Sequence, residues 1–466
     1  MDLAGKRLGI ALLARPTFDV PFAEEMAKSA VATLEGTGAT LIGSRALLFD
    51  KEAAEEAISA LSAESLDGLV IVQATFTDAA MTVVLAQSVK APIVLWAFPE
   101  ERTGGRLRLN SFCGINLAGH ALGKAGISYD YLFQDPSGAG VGTALADVLA
   151  GHKLQRAANG IVTPDPDGGR RIADALSSAK IGLIGEHPDG FHTCAFDAEQ
   201  LADLAGLGVS KSDLPSLFSA AKGVDGETVS ELHASADAAL NGLGSMEAEP
   251  LEKALRSFAA LEQKAKSEEI QAFAIRCWPE FFTDYGCAAC GAMAMLGEGG
   301  TPCACEADVC GAASLLMLKA VADDPPFLAD LVDVDVADDT VVFWHCGLAP
   351  VSLADPAVSP AATIHSNRKK PLLNEFPLKP GRITIARLSQ SLGQMRLVIG
   401  AGEMLARPNS FGGTSGVARL DQSAQHVMDT IMGEGLEHHY AFAYGDHRGA
   451  LAGWAERAGV PVLTLA

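Results

Sequence analysis

The chain has 466 residues, a length that suggests about three domains of roughly 150 residues each. Apolar residues make up 48% of it and charged residues 20%, a globular composition that excludes disorder for most of the chain. The 57 acidic side chains outnumber the 35 basic ones and give a net charge of −22. This balance argues against a nucleic-acid partner, because such proteins need a basic surface.

No segment of the sequence predicts a membrane span, so we expect no membrane partner. The most apolar stretch, residues 79–98, is interrupted by Gln87, Lys90 and Pro92. The N-terminus does not resemble a signal peptide, because Arg15 closely follows its short apolar run. The nine cysteines are therefore expected to be reduced thiols, and the protein is expected to be soluble and cytoplasmic.

Strand-like and helix-like runs alternate through the first third of the chain. The predicted strands are residues 7–14, 39–42, 68–73 and 92–97, and the predicted helices are residues 22–34, 51–61 and 79–89. Such alternation predicts a parallel sheet covered on both faces, here a doubly wound, Rossmann-like domain over residues 1–165. No G-x-G-x-x-G motif or Walker lysine follows the first strand, so nucleotide binding is not supported.

The remaining chain predicts two further domains. Residues 160–171, GIVTPDPDGGRR, have the glycine, proline and aspartate content of a linker. A strand from Lys180 and three helices (212–221, 228–239 and 251–266) predict a second α/β domain over residues 166–324. Strand-like runs at 340–344, 383–388 and 395–399 predict a sheet-rich, antiparallel β domain over residues 325–466. The predicted fold class is therefore α/β.

Two stretches place carboxylates beside apolar runs. In PCACEADVCGAASLLML, Glu306 and Asp308 precede an apolar helix, and the simple interpretation is an N-cap with acidic residues in the first turn. In PPFLADLVDVDVADDTVVFWHCGLAP, Asp330 interrupts one strand-like run and His345 ends another. A buried carboxylate needs a partner, since a lone buried charge is costly. The alternative is a strand-end aspartate that faces water.

A histidine pair, His438 and His439, precedes a late strand in GLEHHYAFAYGDH. The alternative interpretation is that one ring faces solvent and the other is hydrogen-bonded in the core. Two carboxylates with one or two histidines suit an octahedral divalent ion such as manganese or magnesium, and zinc would tolerate the same ligands.

These stretches resemble the L-fucose isomerase and L-arabinose isomerase superfamily. CEAD with Glu306 and FLAD with Asp330, 24 residues apart, resemble the motifs that hold the metal-binding glutamate and aspartate of the fucose isomerase branch. His439 matches the family's C-terminal histidine ligand. WHCGLAP puts His345 where the arabinose isomerase branch has a further histidine.

The resemblance implies a metal-dependent aldose–ketose isomerase that acts on a small sugar through an enediol. Glu306 and Asp330 would be the catalytic pair and would also bind the metal, with His439 and His345 completing the metal site. The implied metal is manganese, with magnesium, cobalt or zinc as alternatives. The resemblance also implies a homo-oligomer, commonly a hexamer, in which a neighbouring first domain closes a site between the second and third domains.

Substrate contacts are predicted in the first domain. Arg15 leaves the first strand, where open α/β sheets usually bind ligands. Asn116 and His120, in NSFCGINLAGHAL, resemble polar first-domain contacts of the arabinose branch, although a helix start with surface polar groups would look the same. Three further arginines crowd a glycine-containing loop: Arg102, Arg106 and Arg108. They could receive a phosphorylated or sulfonated sugar, or simply form a solvated loop.

Two other functions remain open. Seven of the nine cysteines lie in residues 277–346, with C-x-x-C at 287–290 and C-x-C at 303–305, and they could hold zinc or an iron–sulfur cluster. The helical, alanine-rich context of C-x-x-C, YGCAACGAMAML, weakens that alternative and favours buried free cysteines in closely packed helices. The other alternative is a non-catalytic sugar-binding or regulatory protein with the same fold.

Overall fold

The structure is a computed structural model, and it describes residues 3–151 and 160–466. The strands in chain order are β1 (Arg7–Leu13), β2 (Thr40–Ile42), β3 (Leu47–Leu48), β4 (Gly68–Gln73), β5 (Ile93–Ala97), β6 (Tyr129–Phe133), β7 (Lys180–Ile184), β8 (Gly208–Ser212), β9 (Ala272–Ile275), β10 (Cys303–Cys305), β11 (Phe327–Asp335), β12 (Thr340–His345), β13 (Ala361–Thr363), β14 (Leu373–Pro377), β15 (Gly381–Ser389), β16 (Arg396–Met404), β17 (Thr414–Leu420), β18 (His439–Tyr444) and β19 (Val462–Thr464). The strands of the described chain form three sheets.

Helices cover these sheets. The α-helices are α1 (Val20–Gly36), α2 (Lys51–Ser62), α3 (Ala80–Ser88), α4 (Ser111–Lys124), α5 (Val141–Leu149), α6 (Pro166–Leu176), α7 (Ala198–Ala205), α8 (Leu214–Lys222), α9 (Gly226–Ala239), α10 (Ala248–Glu268), α11 (Cys290–Glu298), α12 (Val309–Lys319), α13 (Ala424–Gly433) and α14 (Arg448–Ala458). No helix in the described ranges combines the length and apolar character that crossing a bilayer requires.

The first sheet is parallel, as the alternating pattern predicted. Its strand order is β2-β1-β4-β5-β6, with β3 pairing beside β1, and every pairing is parallel. The strand GLVIVQ at residues 68–73 is buried along its whole length, because helices cover both faces of a parallel sheet. The parallel-sheet character of the N-terminal region is thus confirmed.

The second sheet is also parallel, with the order β10-β9-β7-β8. The linker predicted at residues 160–171 is wrong in its second half, where α6 begins at Pro166 with Asp165 as its N-cap. The glycines there permit a close helix contact, since a Cβ on Gly169 would lie 2.4 Å from the carbonyl carbon of Gly453 in α14. Glycine content in this segment therefore reflects packing between helices and not chain flexibility.

The third sheet is the strand-rich C-terminal region. Six antiparallel strands pair in a closed ring, β11-β12-β17-β16-β15-β18 and back to β11. Strands β14 and β19 add parallel pairings at its margins, so the region is mixed and not purely antiparallel. The three domain ranges from the sequence remain predictions. What matters for function is that loops after β1, β9 and β10 meet residues of β11 and β12, and His438 just before β18, around one cavity.

Candidate active site

Asp330 and His439 face each other on neighbouring antiparallel strands, β11 and β18. The Nε2 atom of His439 lies 3.3 Å from Asp330 Oδ1 and 3.8 Å from Glu306 Oε2. Glu306 comes from a different sheet, because it directly follows β10. The structure therefore places each of the two carboxylates that the sequence singled out beside the same histidine, His439.

The ring of His439 is oriented by a buried aspartate on its other side. His439 Nδ1 lies 2.9 Å from Asp308 Oδ2, and that same oxygen accepts a hydrogen bond from the guanidinium of Arg387. Burial opposes ionisation of Asp308, but Arg387 and His439 hold the pKa of its carboxyl well below the ordinary value. An ionised carboxylate only accepts hydrogen bonds, so Nδ1 of His439 donates and its Nε2 presents a lone pair.

Asp308 confirms the N-cap half of the interpretation of its stretch, whereas the expected first-turn acid is wrong, because Glu306 lies before the helix. Its Oδ1 accepts from the backbone N–H of Gly311 at 2.8 Å at the start of α12. One carboxylate thus caps a helix, neutralises Arg387 and fixes the tautomer of His439.

Glu306 occupies a tight turn between β10 and α12. Glu306 and Ala307 have φ values of +59° and +58°, a left-handed conformation that side chains with a Cβ rarely adopt. The carboxylate accepts hydrogen bonds from Trp278 Nε1 at 3.0 Å and from His438 Nε2 at 3.1 Å. Burial would raise the pKa of Glu306, but His438, His439 and Trp278 together lower it to about 2. Glu306 is therefore ionised at neutral pH.

Asp330 differs from Glu306, because its pKa is raised and not lowered. Burial, reinforced by the negative charge of Glu306 and only partly offset by His439, raises the pKa of Asp330 to about 7. Its Oδ1 finds no hydrogen-bond partner among residues 3–151 and 160–466. Since His439 Nε2 also presents a lone pair, two acceptors face each other at 3.3 Å. A cation between them would satisfy both, so these residues fit a divalent metal ion.

Among residues 3–151 and 160–466, two sets of three residues bring potential ligand atoms within 4.8 Å of one another. One set is Asp330, His438 and His439, and the other is Cys194, Glu306 and His439. His439 is common to both. This overlap identifies it as the centre of the candidate metal site.

His345, at the end of β12, lines the cavity but belongs to neither set. Its Nδ1 accepts a hydrogen bond from the backbone N–H of Cys346 at 2.9 Å. A neutral ring that accepts at Nδ1 carries its proton on Nε2, which makes that atom a donor and not a metal ligand. The local geometry thus favours a contact with a substrate hydroxyl over the predicted coordination of metal.

The cavity, about 100 Å³ in volume, also reaches Arg15, whose predicted contact with substrate stays a prediction. Arg15 forms an ion pair with Asp78 at 2.7 Å. Its guanidinium carbon lies 5.6 Å from the ring centre of Phe76 and 5.0 Å from that of Trp278. These contacts hold the side chain at the cavity wall.

Asn116 and His120 do not line this cavity. Asn116 Nδ2 donates to the carbonyl of Leu436 at 2.6 Å, and His120 Nδ1 lies 2.9 Å from the carbonyl of Gly435. Both side chains are buried in α4. Within their own chain they anchor the loop that leads into the histidine pair.

The three arginines of the predicted anion loop have separate partners. Arg102 pairs with Asp333 at 2.7 Å and Arg108 pairs with Asp19 at 2.8 Å, and neither arginine lines the cavity. Arg106 donates from Nε to Asn367 at 2.7 Å, and Asn367 is part of the cavity wall. Only Arg106 is therefore connected to the site.

Four of the seven cysteines in residues 277–346 meet in two pairs. Cys277 and Cys305 have their sulfurs 2.8 Å apart, and Cys290 and Cys346 have theirs 3.6 Å apart. Burial raises the pKa of Cys305 well above its ordinary value, which keeps that thiol protonated. Within the described ranges, neither ligand set contains more than one cysteine, so the geometry does not favour a zinc or iron–sulfur site.

Three residues that shape this site were not predicted from the sequence: Arg387, Trp278 and Arg368. Arg387 had a visible signal, because an arginine inside the apolar strand ITIARL needs a buried partner for the same reason that Asp330 does. Arg368 stands in the cationic turn HSNRKK between two extended segments. Trp278, in RCWPEFF, had no signal that separates it from a core tryptophan.

Comparisons with known proteins identify the family of the chain. Residues 9–151 match the fucose/sulfoquinovose isomerase N-terminal domain, and residues 374–465 match the L-fucose isomerase C-terminal domain. The chain is 31% identical to a sulfoquinovose isomerase from Priestia aryabhattai over 93% of each chain. It is 33% identical to one from Alkalicoccus urumqiensis over 82% of each chain. The chain therefore belongs to the fucose/sulfoquinovose isomerase family and is an isomerase that interconverts an aldose and a ketose.

Proposed function

We propose that this protein is a metal-dependent isomerase that converts sulfoquinovose, a hexose with a sulfonate on C6, into the corresponding 2-ketose. The substrate is suggested by the relatives, which are named for it and are 31–33% identical. The chemistry is carried by one observation. The Nε2 lone pair of His439 faces carboxylate oxygens of both Asp330 and Glu306, at 3.3 and 3.8 Å.

Glu306, Asp330 and His439 would hold the ion, with manganese as the first choice and magnesium, cobalt or zinc as alternatives. A divalent ion bound there would polarise the oxygens on C1 and C2 of the open-chain sugar. Asp308 prepares the site in advance, because its hydrogen bond to Nδ1 keeps Nε2 of His439 unprotonated.

The two carboxylates are also the proposed proton carriers. Isomerisation of an aldose takes a proton from C2 and returns it to C1, while the hydroxyl proton moves from O2 to O1. Glu306 enters from the second sheet and Asp330 from the third, so the two oxygens reach the sugar from different elements. We assign the transfer between carbons and the transfer between oxygens to these two groups.

His345 and Trp278 position the participants. With its proton on Nε2, His345 would donate a hydrogen bond to a sugar hydroxyl. Trp278 fixes Glu306 through a 3.0 Å hydrogen bond and offers an apolar wall to the carbon face of the sugar.

The proposal is tested by metal removal and restoration. The purified protein is treated with a chelator, dialysed, and assayed for ketose formation from sulfoquinovose by NMR, alone and with manganese, magnesium, cobalt or zinc added. We expect activity to vanish and to return with one or more of these ions. Full turnover by a protein shown by elemental analysis to be metal-free would overturn the metal dependence.

The assembly is a separate proposal, based on the family resemblance. We propose a homo-oligomer larger than a dimer, in which a neighbouring first domain completes the substrate site. Light scattering at assay concentrations measures the mass directly. A fully active monomer would contradict the shared site.

A further inference from the structure

One side of the cavity carries positive charge that the proposed chemistry does not use. The guanidinium carbon of Arg368 lies 5.3 Å from the ring centre of Trp278 and 5.2 Å from that of Phe282. On the same indole lies Arg15, with its guanidinium carbon at 5.0 Å. Both arginines line the cavity that holds Glu306 and Asp330. Because Trp278 donates to Glu306, one indole separates the cationic groups from the catalytic carboxylate.

This positive charge is poorly compensated. In the part of the chain that the structure describes, the guanidinium of Arg368 makes no ion pair with a carboxylate, and its recorded contacts are with the rings of Trp278 and Phe282. Nearby, Arg106 donates only to neutral oxygens, those of Asn367 and the Thr17 backbone. Asp78, which pairs with Arg15, is therefore the one carboxylate partner of these three described arginines. In a chain with a net charge of −22, such an excess of cations is unexpected unless an anion binds there.

The positive charge of these arginines also affects His365, in the turn that carries Arg368. Burial, together with Arg368, His345 and Arg106, lowers the pKa of His365 to about 3, so this imidazole stays neutral. Its Nδ1 accepts from the backbone N–H groups of Asn367 and Arg368, each at 3.3 Å. The neutral ring thus fixes the backbone of the turn and leaves the positive charge to the arginines.

We infer that Arg368, assisted by Arg15, binds the sulfonate of the substrate and makes the enzyme selective for an anionic sugar. This inference rests on the proposed function. A planar guanidinium presents several N–H donors in a fixed fork, which suits the oxygens of a tetrahedral anion. The carboxylate–histidine side would then receive C1 and C2 while the arginine side receives C6.

A second, much larger cavity is unsuited to the same ligand. It measures about 1030 Å³ and its wall includes Glu100, Asp130, Asp333 and Asp429. An anion would be repelled there. Charge therefore assigns the sulfonate to the smaller cavity, beside the proposed catalytic groups.

The test compares a sulfonated sugar with its neutral counterpart. Arg368→Ala should lower kcat/KM for sulfoquinovose by about 10- to 150-fold, the range for hydrogen bonds to a charged group. Most of the loss should appear in KM, because the sulfonate lies far from the reacting carbons. The kcat/KM for glucose, measured with excess enzyme, should change by less than about threefold, because glucose has no sulfonate for Arg368 to bind. Arg368→Lys should recover part of the loss, since it keeps the charge but not the fork.

Lys369→Gln is the matched control. Lys369 is the next residue of the same turn, is exposed and does not line the cavity, so removing its charge should leave both substrates unaffected. Equal losses of Arg368→Ala on sulfoquinovose and on glucose would overturn the inference, as would no loss on either.

Failure of the proposed function gives a different result. If the wild-type protein does not convert sulfoquinovose, the substrate assignment fails, and the subsite is then judged by calorimetric titration with sulfoquinovose. Weaker binding by Arg368→Ala than by wild type would still support the subsite, and equal binding or no binding would overturn it. Glucose 6-phosphate distinguishes the anions: a parallel dependence on Arg368 supports a site for tetrahedral anions in general, and dependence for sulfoquinovose alone supports a sulfonate site.

Discussion

The two sides of the cavity are built differently. On the carboxylate–histidine side, Asp308 and Arg387 are fully buried and both support His439 through direct or shared hydrogen bonds. On the arginine side, Arg15 and Arg368 are partly exposed and lie mainly against aromatic rings. The first side is fixed by several buried polar contacts, whereas the second depends on stacking and on one ion pair, between Arg15 and Asp78.

The residues of the two sides also lie on different kinds of structural element. Asp330, His345 and His439 belong to paired strands of the third sheet. Arg15 and Arg368 belong to segments between strands. Loops tolerate change better than paired strands, and they often carry specificity on a rigid scaffold. We therefore expect that substitutions on the arginine side change substrate preference without disturbing the chemistry.

The largest effect is expected from substitutions on the carboxylate–histidine side of the cavity. Glu306→Gln and Asp330→Asn keep the shape of each side chain but remove its charge, so each should lower kcat by at least about 10²–10⁴-fold, the usual contribution of a general base, with metal loss adding to it. Turnover of sulfoquinovose and metal content would be measured together. Asp333→Asn is the matched control, because Asp333 lies on the same strand but pairs with Arg102 away from the cavity. Near-normal turnover by either active-site variant would remove these residues from the mechanism.

The second prediction concerns how His439 is oriented. Asp308→Asn removes the carboxylate that accepts from Nδ1, so metal affinity should fall by about 10- to 100-fold. Glu437→Gln is the control: Glu437 also lies near Arg387, at 3.9 Å, but does not contact His439. Both variants should be less stable, because each leaves Arg387 less compensated. Only Asp308→Asn should weaken the metal, as measured by competition with a chelating dye. Equal weakening in both would mean that the loss follows instability and not the tautomer of His439.

The difference between the two sides also explains what the sequence could predict. CEAD, FLAD and the histidine pair were recognised because each is a short local pattern, and the strands around them are long apolar runs. The buried partner of Asp308 was not recognised, because Arg387 lies 79 residues away and meets it only after the sheets have packed. Arg368 was missed for the same reason, since its turn gains meaning only beside Trp278 and Phe282. Closure of the third sheet depends on the β16–β17 pairing, which no local pattern marks.

A third, smaller effect should appear at Trp278, the residue that touches both sides. Trp278→Phe keeps an aromatic ring for Arg15 and Arg368 but removes the N–H that donates to Glu306. We expect kcat to fall by about tenfold, the scale of one hydrogen bond, with little change in selectivity between sulfoquinovose and glucose. Trp278→Leu should in addition lose selectivity, because it removes the stacking surface. If Trp278→Phe changed selectivity but left kcat unchanged, the role of the Trp278 N–H in supporting Glu306 on the carboxylate–histidine side would be wrong.

The smallest effect on activity is expected at Asn116, where the sequence and the structure suggest different roles. Asn116→Ala leaves the buried carbonyl of Leu436 without its 2.6 Å hydrogen bond, so the free energy of unfolding should fall by about 1–3 kcal/mol. Because the side chain lies outside the cavity, kcat/KM for sulfoquinovose should stay within about threefold of wild type. Chemical denaturation and steady-state kinetics measure the two quantities. The substrate contact suggested by the family resemblance predicts the reverse, a raised KM at unchanged stability. That reverse result would place Asn116 at a site completed by a neighbouring subunit, since within its own chain the residue faces the loop before His438 and not the sugar cavity.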